Sequence, residues 1–272
     1  MFDLTGKVIV ITGGAGLLGE KHAEAVAEFG AKPVILDLFQ AKSEAVAERI
    51  RDQYGVEAIG LAIDITSEEQ IIGSCKLLLD KFGKIDVLIN NAANNPKVEN
   101  GKKGKSFSRL ENFDLELWDQ DLMVGLTGSF LSAKHFGYAI SQNPNGGVIL
   151  NISSDLGLIA PDQRIYRKEG VSEEQQPVKP VTYSVIKHGI IGLTKYLATY
   201  WADQGVRCNA LAPAGVYNNQ PEEFVQSLSK LIPLGRMARR DEYKAAIQFL
   251  VSEASSYMTG TVLVMDGGRS AW

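Results

Sequence analysis

The stretch TGGAGLLG, residues 12–19, follows a short apolar run at 7–12 and precedes an amphipathic run. Gly14, Gly16 and Gly19 match the spacing G-x-G-x-x-G, in which glycines let the backbone approach a pyrophosphate closely. The N-terminus of the helix that follows such a turn adds partial positive charge at the same point. A turn of this composition between a strand and a helix predicts a dinucleotide-binding α/β fold.

Apolar strand-like runs alternate with amphipathic helical runs along the rest of the chain, which is typical of a parallel sheet built from right-handed βαβ units. The pattern predicts seven strands, at 7–12, 33–37, 57–63, 85–90, 148–152, 206–211 and 261–265. The longest predicted helices cover about 115–141 and 183–202. No linker rich in Pro, Gly or Ser interrupts the pattern, so we expect residues 1–272 to form one doubly wound Rossmann-type domain with helices on both faces of the sheet.

Composition argues against several classes of function. The net charge is −4 and the basic residues are dispersed, so nucleic acid is not an expected partner. No basic leader with an apolar core and no run of about 18 apolar residues appears, so we expect a cytoplasmic protein without a membrane span. Cys75 and Cys208 fall in a predicted helix and strand, which suits reduced thiols. Because the three histidines lie on predicted helices without a mutual ligand pattern, we expect no metal.

Asp37 indicates which dinucleotide binds. It ends the second predicted strand 18 residues after Gly19, close to the spacing of the acid that binds the ribose 2′-hydroxyl. A carboxylate there repels the 2′-phosphate of NADP, and neither Ala15 nor Leu38 supplies a compensating arginine. NAD is therefore the expected cofactor. Asp64 and the NNAA turn at 90–93 also follow predicted strands, at the edge where open α/β sheets bind ligands.

Tyr183 has a lysine, Lys187, four residues later inside an apolar helical run. Because residues i and i+4 share a helix face, the phenol and the ammonium can act at one point. A free phenol titrates near pH 10, so it is a poor base at neutral pH unless a nearby cation favours the phenolate. A predicted strand that ends in NISS, residues 151–154, lies upstream and carries Ser154.

These motifs together resemble the short-chain dehydrogenase/reductase family along essentially the whole chain. The matching residues are the turn at 12–19, Asp64, NNA at 90–92, NISS at 151–154, Tyr183 with Lys187, PAGV at 213–216 and DGG at 266–268. The resemblance implies that Tyr183 exchanges a proton with the substrate oxygen. It also implies that Lys187 holds the nicotinamide ribose and lowers the phenol pKa, and that Ser154 polarises or stabilises the substrate oxygen.

The resemblance further implies a set of cofactor contacts and an assembly. The expected cofactor-binding residues are Gly13, Gly14, Gly16, Leu17, Leu18, Gly19, Asp37, Asp64, Ile65, Asn91, Ala92, Ala93, Tyr183, Lys187, Pro213, Ala214 and Val216. The expected assembly is a homotetramer in which the long helices pair between subunits and the C-terminal strand packs against a neighbour.

Two positions depart from the family pattern. The glycine spacing matches the extended branch, with Leu17 where the shorter branch usually has glycine. The shorter branch is still favoured, because a chain of 272 residues ending soon after VMDGG leaves no room for an added substrate domain. Gly125 stands where the family usually has its active-site Asn. Since one role of that Asn uses its backbone carbonyl, which holds a water near the lysine, Gly125 can keep the relay and lose only the side chain.

Two long polar intervals, about 94–109 and 161–180, lie at the ligand edge of the predicted sheet. The first carries Lys97, Lys102, Lys103, Lys105 and Arg109 against Glu99. The second makes the interval from Ser154 to Tyr183 29 residues, longer than is usual for the family. Both can wall a polar, even anionic, substrate pocket, and a solvated lysine loop is the alternative for the first. In the second, Arg164 and Tyr166 are the candidate substrate contacts.

The sequence therefore predicts an NAD-dependent oxidoreductase acting on a secondary alcohol or ketone of a polar, carbohydrate-like small molecule. The segment 160–166 together with 124–128 resembles a bacterial subgroup described as flagellin-modification or sugar-acid dehydrogenases. Two alternatives stay open. The glycine spacing also suits a nucleotide-sugar epimerase or dehydratase, and Gly125 also suits a catalytically weak NAD-sensing binding protein.

Overall fold

The computed structural model describes residues 1–94 and 106–272. In this part of the chain seven parallel strands form one sheet, in the spatial order third, second, first, fourth, fifth, sixth, seventh. The strands are β1 Val8–Thr12, β2 Lys32–Asp37, β3 Ile59–Ala62, β4 Val87–Asn90, β5 Gly147–Ile152, β6 Val206–Pro213 and β7 Val262–Met265. The strand order reverses between β1 and β4, which creates the crevice where such sheets bind ligands.

The helices of the described chain cover both faces of the sheet. They are α1 Gly19–Ala27, α2 Gln40–Tyr54, α3 Glu68–Phe82, α4 Leu115–Leu122, α5 Gly128–Ser132, α6 Tyr138–Ser141, α7 Val181–Tyr200, α8 Glu222–Ser229 and α9 Lys244–Val251. Two π-helical turns, Met123–Thr127 and Ala133–Gly137, join α4, α5 and α6 into the long helix predicted at 115–141. The predicted helix at 183–202 begins two residues earlier than expected, directly after the extended backbone of Pro180.

Alternating side chains of the strands enter two apolar cores. Ile9 and Ile11 pack on one face with α1 and α9, while Val8 and Val10 pack on the other with α3. All five residues of β1 are buried, as expected for a strand covered on both faces. The seven predicted strands are confirmed, with β3 and β4 each shorter than the predicted run. Glu57, predicted inside β3, instead pairs with Lys32 and Lys81 at the surface.

The two long intervals meet beside the sheet. The second holds short 3₁₀ turns at Gln163–Tyr166 and Glu173–Gln175. Most of the first, 95–105, lies outside the described residues, and with it the prediction made for its lysines. Arg109, at its end, donates a hydrogen bond from Nη1 to the carbonyl of Glu173 at 2.7 Å, and Ser108 Oγ accepts one from the N–H of Val178 at 3.1 Å. The end of the first interval therefore braces the second.

None of the helices in the described residues combines the length and the apolar character needed to cross a bilayer.

Candidate active site

The glycine-rich turn is too tight for side chains. Gly13 has φ +60°, and a Cβ on it would lie 2.8 Å from Cα of Ala92. A Cβ on Gly19 would lie 2.2 Å from the carbonyl oxygen of Gly13. Asn91 holds the turn against β4, since its Nδ2 donates to the carbonyls of Thr12 and Gly13, both at 3.0 Å. The backbone therefore stays bare and fixed at the N-terminus of α1, which fits a pyrophosphate.

A cavity of about 930 Å³ runs along the carboxyl edge of the sheet. Its walls contain all of the predicted cofactor residues except Gly14 and Gly19, which pack behind the turn. They also contain the three predicted catalytic residues, Ser154, Tyr183 and Lys187. The structure thus brings together at one edge residues that lie up to about 200 positions apart in the sequence, as expected for a doubly wound sheet.

Asp37 closes the cofactor flank at the end of β2. Its Oδ2 accepts a hydrogen bond from the N–H of Ala15 at 3.2 Å, and its Oδ1 accepts one from Leu38 at 2.9 Å. These bonds orient the carboxylate at the mouth of the glycine turn. On the same flank Asp64 accepts hydrogen bonds from the backbone and hydroxyl of Thr66 and caps the loop that enters α3. The flank therefore has the acceptors that a ribose diol requires, so the residues present fit a dinucleotide.

Tyr183 and Lys187 lie one turn apart on α7. The Lys187 ammonium is 5.8 Å from the centroid of the Tyr183 ring and donates to the carbonyl of Ile152 at 2.8 Å. The carbonyl of Lys187 in turn accepts the hydroxyl of Ser153 at 2.8 Å. The end of β5 thus fixes α7 at this point and places Ser154 beside Tyr183.

Burial dominates the electrostatics of this pair. It lowers the pKa of Lys187 to about 8, with the positive charge of Lys179 acting in the same direction. It raises the pKa of Tyr183, while the neighbouring Ser154 hydroxyl acts in the opposite direction. The pKa of Tyr183 is therefore raised in this structure, whereas Lys187 was expected to lower it. The reason is that desolvation penalises the phenolate more than the site stabilises it.

Asp155 and Arg269 form a buried ion pair behind Ser154. Ser154 Oγ donates to Asp155 Oδ1 at 2.7 Å, and Arg269 Nη1 donates to Asp155 Oδ2 at 2.6 Å. The two charged side chains are only 3% and 7% exposed, and both residues line the cavity. Sequence reasoning missed them. The available signals were a carboxylate directly after Ser154 and an arginine directly after the terminal DGG motif.

Lys179 is a second cation beside the catalytic tyrosine. Its ammonium lies 3.7 Å from the centroid of the Tyr183 ring, on the opposite side in sequence from Lys187. Burial lowers the pKa of Lys179 to about 8, although the carboxylates of Asp155 and Asp121 act in the opposite direction. The sequence offered one clue, a lysine four residues before Tyr183, but Lys179 falls within the interval taken as loop.

Asp121 anchors the start of α7 from α4. This carboxylate is buried and accepts the hydroxyl of Thr182 at 2.6 Å and the side-chain amide of Asn94 at 3.0 Å. Because Thr182 directly precedes Tyr183, the contact fixes the turn of helix that carries the phenol. Nothing in the sequence pattern singled out Asp121.

The two substrate candidates of the second interval have different positions. The Arg164 side chain is 84% exposed, is paired with Asp162 through bonds of 2.9 and 2.7 Å, and lies outside the cavity. We therefore assign it no substrate contact. Tyr166 lines the cavity, and its ring lies 5.6 Å from that of Phe224 on α8. Burial raises the pKa of Tyr166, so its hydroxyl stays protonated as a wall of the site.

Gly125 is buried against α7. A Cβ on it would lie 2.7 Å from Cγ2 of Ile186 and 2.9 Å from Cδ1 of the same residue. Its carbonyl accepts the hydroxyl of Ser129 at 3.0 Å. Ile186 therefore fills the space that a side chain at position 125 would need, which is the physical reason that the usual Asn is not accommodated.

The described residues contain no group of three His, Cys, Asp or Glu side chains placed to hold a metal ion. His135 pairs with Glu68 at 2.8 Å on the surface of α3, away from the cavity.

Comparisons with known proteins agree with this geometry. A family model described as enoyl-(acyl carrier protein) reductase matches residues 13–270. The chain is 31% identical to D-threitol dehydrogenase of Mycolicibacterium smegmatis, over 98% of this chain and 94% of the relative. It is also 31% identical to an NAD-dependent glycerol dehydrogenase of Listeria innocua, over 98% of this chain and 95% of the relative.

A solved structure extends the likeness to three dimensions. The crystal structure of a gluconate 5-dehydrogenase from Burkholderia cenocepacia, in complex with NADP and tartrate, superposes with a TM-score of 0.85 at 27% identity. The alignment covers 100% of this chain and 98% of that one. With the matching motifs, these likenesses show that the chain belongs to the short-chain dehydrogenase/reductase family, whose members use a nicotinamide cofactor.

Proposed function

We propose that this protein is an NAD-dependent dehydrogenase that interconverts a secondary alcohol and a ketone on a polar, sugar-like or sugar-acid-like substrate. The observation that carries the proposal is the convergence of Ser154, Tyr183 and Lys187 on one cavity that also contains the glycine turn. The first three suit proton transfer at a substrate oxygen, and the turn suits a dinucleotide.

The preference for NAD rests on Asp37. Its carboxylate faces the same flank as the glycine turn, where the 2′-phosphate of NADP would meet an uncompensated negative charge. The relatives are divided on this point, since one is an NAD-dependent glycerol dehydrogenase and the gluconate 5-dehydrogenase was solved with NADP. The carboxylate of Asp37 in this chain supports NAD.

The chain's own residues supply the proton transfer. A dinucleotide held by the glycine turn and Asp37 would supply the hydride acceptor for oxidation of the alcohol and the hydride donor for reduction of the ketone. In oxidation Tyr183 takes the proton that leaves the substrate hydroxyl, and in reduction it returns one. The ammonium of Lys187, 5.8 Å from the phenol ring, favours the phenolate that this exchange requires.

Ser154 orients the substrate oxygen. In this structure its hydroxyl donates to Asp155 and accepts the N–H of Leu156 at 3.2 Å, which leaves one acceptor position for a neighbouring hydroxyl. A substrate alcohol that donates to Ser154 would stand beside Tyr183, so Asp155 acts through Ser154 as a positioning residue.

The polar character of the substrate rests on the wall around Tyr183. Lys179, Asp155, Arg269 and Tyr166 all line the cavity on this side. Relatives named for threitol, glycerol and gluconate have polyhydroxylated substrates in common, which supports the same class here. The NAD-sensing alternative was motivated by Gly125 and gains nothing from a structure in which the three catalytic residues line one cavity.

A screen tests the proposal. Alditols, aldoses, aldonates and amino-sugar phosphates are each incubated with NAD, and NADH absorbance is followed. We expect a hit that depends on Tyr183. Absence of NAD reduction with all four classes would contradict the proposed function.

A further inference from the structure

The side of the cavity that faces Tyr183 contains more positive charge than negative. Among residues 1–94 and 106–272, the basic side chains that line this side are Lys179, Lys187 and Arg269, against the one carboxylate of Asp155. The carboxylate of Asp121 acts on Lys179 from behind, but it is buried and does not line the cavity. The two acids of the cofactor flank, Asp37 and Asp64, lie past the glycine turn, at the ends of β2 and β3.

Arg269 has donors to spare. A guanidinium carries five N–H donors. Within residues 1–94 and 106–272, the side chain of Arg269 makes one hydrogen bond, from Nη1 to Asp155 at 2.6 Å. The side chain is 7% exposed and borders the cavity. A guanidinium that borders a cavity and keeps unused N–H donors can hold a carboxylate, which accepts two parallel N–H bonds.

Lys179 supplies the second charge. Its ammonium stands 3.7 Å from the Tyr183 ring centroid, with Lys187 at 5.8 Å from the same point. The two ammonium groups repel each other, and this repulsion is part of the reason that the pKa of Lys187 falls to about 8. An anion bound beside Lys179 would offset this repulsion.

We propose that Arg269 and Lys179 bind a carboxylate of the substrate, so that the preferred substrates are polyhydroxy acids rather than neutral polyols. This inference rests on the proposed function. The carboxylate would lie close to the reacting carbon, because Arg269 is linked through Asp155 to Ser154 and Lys179 covers the ring of Tyr183. Asp155 and the buried Asp121 offset part of the charge of these two cations, so a carboxylate fits the site better than a phosphate monoester, which carries about −1.5 to −2.

The test compares acids with their matched alcohols. Threonate with threitol, and gluconate with glucitol, differ only by a carboxylate in place of a terminal hydroxymethyl group. We expect the wild-type kcat/KM to favour the acid of at least one pair by about 10-fold or more, as the loss of a charge-assisted hydrogen bond would give. Arg269→Gln and Lys179→Met should each lower the ratio of kcat/KM for the acid to kcat/KM for the alcohol by about 10- to 100-fold, whatever their effect on the alcohol itself.

Two controls separate charge from folding. Arg164→Gln removes a guanidinium that is also paired with an aspartate but lies outside the cavity, so it should change neither KM. The double variant Asp155→Asn with Arg269→Gln removes both members of the buried pair and leaves no uncompensated buried charge. It should still lose the preference for the acid, even if Arg269→Gln alone fails to fold.

Calorimetry of aldonate binding to NADH-loaded Tyr183→Phe provides a readout that is independent of turnover. One outcome is that the aldonate binds, that Arg269→Gln abolishes this binding, and that the wild type transfers no hydride to or from it. This outcome would support the inference and contradict the proposed function. Equal use of alditols and aldonates would support the proposed function and overturn the inference. A sugar phosphate bound more tightly than the aldonate of the same sugar, or no aldonate bound at all, would also overturn it.

Discussion

At the scale of single residues, the proposed chemistry depends on the charges that surround the phenol of Tyr183. Tyr183 stands between two lysines and next to a serine whose hydroxyl is held by Asp155. Burial opposes every charge in this group, so the chemistry depends on which charges are compensated. On the cofactor flank, the proposed preference for NAD over NADP likewise depends on one charge, the carboxylate of Asp37.

Asp37 leads to a prediction on cofactor choice. NAD(H) should bind at least about tenfold more tightly than NADP(H), or about 1.4 kcal/mol, because the extra phosphate meets an uncompensated carboxylate. Asp37→Asn keeps the shape of the side chain and one acceptor oxygen but removes the negative charge, so it should narrow the difference in affinity by improving NADP(H) binding. Calorimetry measures the affinity of both proteins for NAD(H) and NADP(H). Equal affinities in the wild type would show that Asp37 does not select the cofactor.

Lys187 leads to a prediction on stability. Its pKa in the folded protein is about 8, below the ordinary 10.5, so between these values the unfolded chain binds more protons than the folded one. The contribution of Lys187 to the free energy of unfolding should therefore rise with pH through this window, by about 3 kcal/mol in total. Lys187→Met lacks this term and serves as the reference.

Urea unfolding of both proteins without cofactor, at about pH 8 and about pH 10, gives the comparison. The wild type should gain free energy of unfolding relative to Lys187→Met as the pH rises. If the difference in free energy of unfolding between the two proteins stays constant with pH, folding does not lower the pKa of Lys187, and the prediction is contradicted.

At the scale of secondary-structure elements, the contact between the long helix and α7 distinguishes this chain from the usual family pattern. The π-helical turn Met123–Thr127 brings Gly125 against Ile186, which directly precedes Lys187. Since the space at Gly125 is already filled, a side chain there must displace the Ile186 side chain, which is next to Lys187 on α7.

Gly125→Ala should therefore destabilise the protein by about 1 to 3 kcal/mol, as overpacking does. Ile186→Ala opens the space, so Gly125→Ala should destabilise the Ile186→Ala variant much less than it destabilises the wild type. Urea denaturation of the two single variants and the double variant measures the coupling. Additive losses would mean that the two residues do not compete for the same volume.

The sequence predicted elements better than it predicted side-chain contacts. All seven strands were identifiable because buried parallel strands are continuous apolar runs, such as 8–12, bounded by polar turns. The family motifs also singled out Ser154, Tyr183 and Lys187, the three residues proposed as catalytic, and the structure places all three in the wall of one cavity. The interval 161–180 has no such period, so the sequence pattern could not tell which of Arg164 and Tyr166 lines the cavity. In the structure Arg164 pairs with Asp162 at the surface instead.

Arg269 was not predictable for a different reason. It reaches Ser154 through Asp155, a contact across 114 residues between the C-terminal segment and the end of β5. Only the packing of β7 at the edge of the sheet brings these two segments together. An ion pair of this kind has no local sequence period.

At the scale of the whole molecule, the homotetramer stays a prediction that the exposed surface supports. Phe130 and Tyr138 on the long helix, and Tyr196 and Tyr200 on α7, are large apolar side chains left exposed. Exposed apolar surface of this kind is typical of an interface. Sedimentation should give the mass of four chains, and Tyr196→Glu with Tyr200→Glu should lower it. A wild-type monomer would contradict the predicted assembly.

The central claim is that Tyr183 transfers the proton in an NAD-linked oxidation or reduction. The most direct measurement is the turnover of Tyr183→Phe with the best substrate from the screen, together with its affinity for NADH by fluorescence titration. The variant keeps the ring and loses the hydroxyl, so kcat should fall by at least about 100-fold while NADH affinity stays nearly unchanged. Near-normal turnover in Tyr183→Phe would show that another group carries the proton, and would contradict the mechanism.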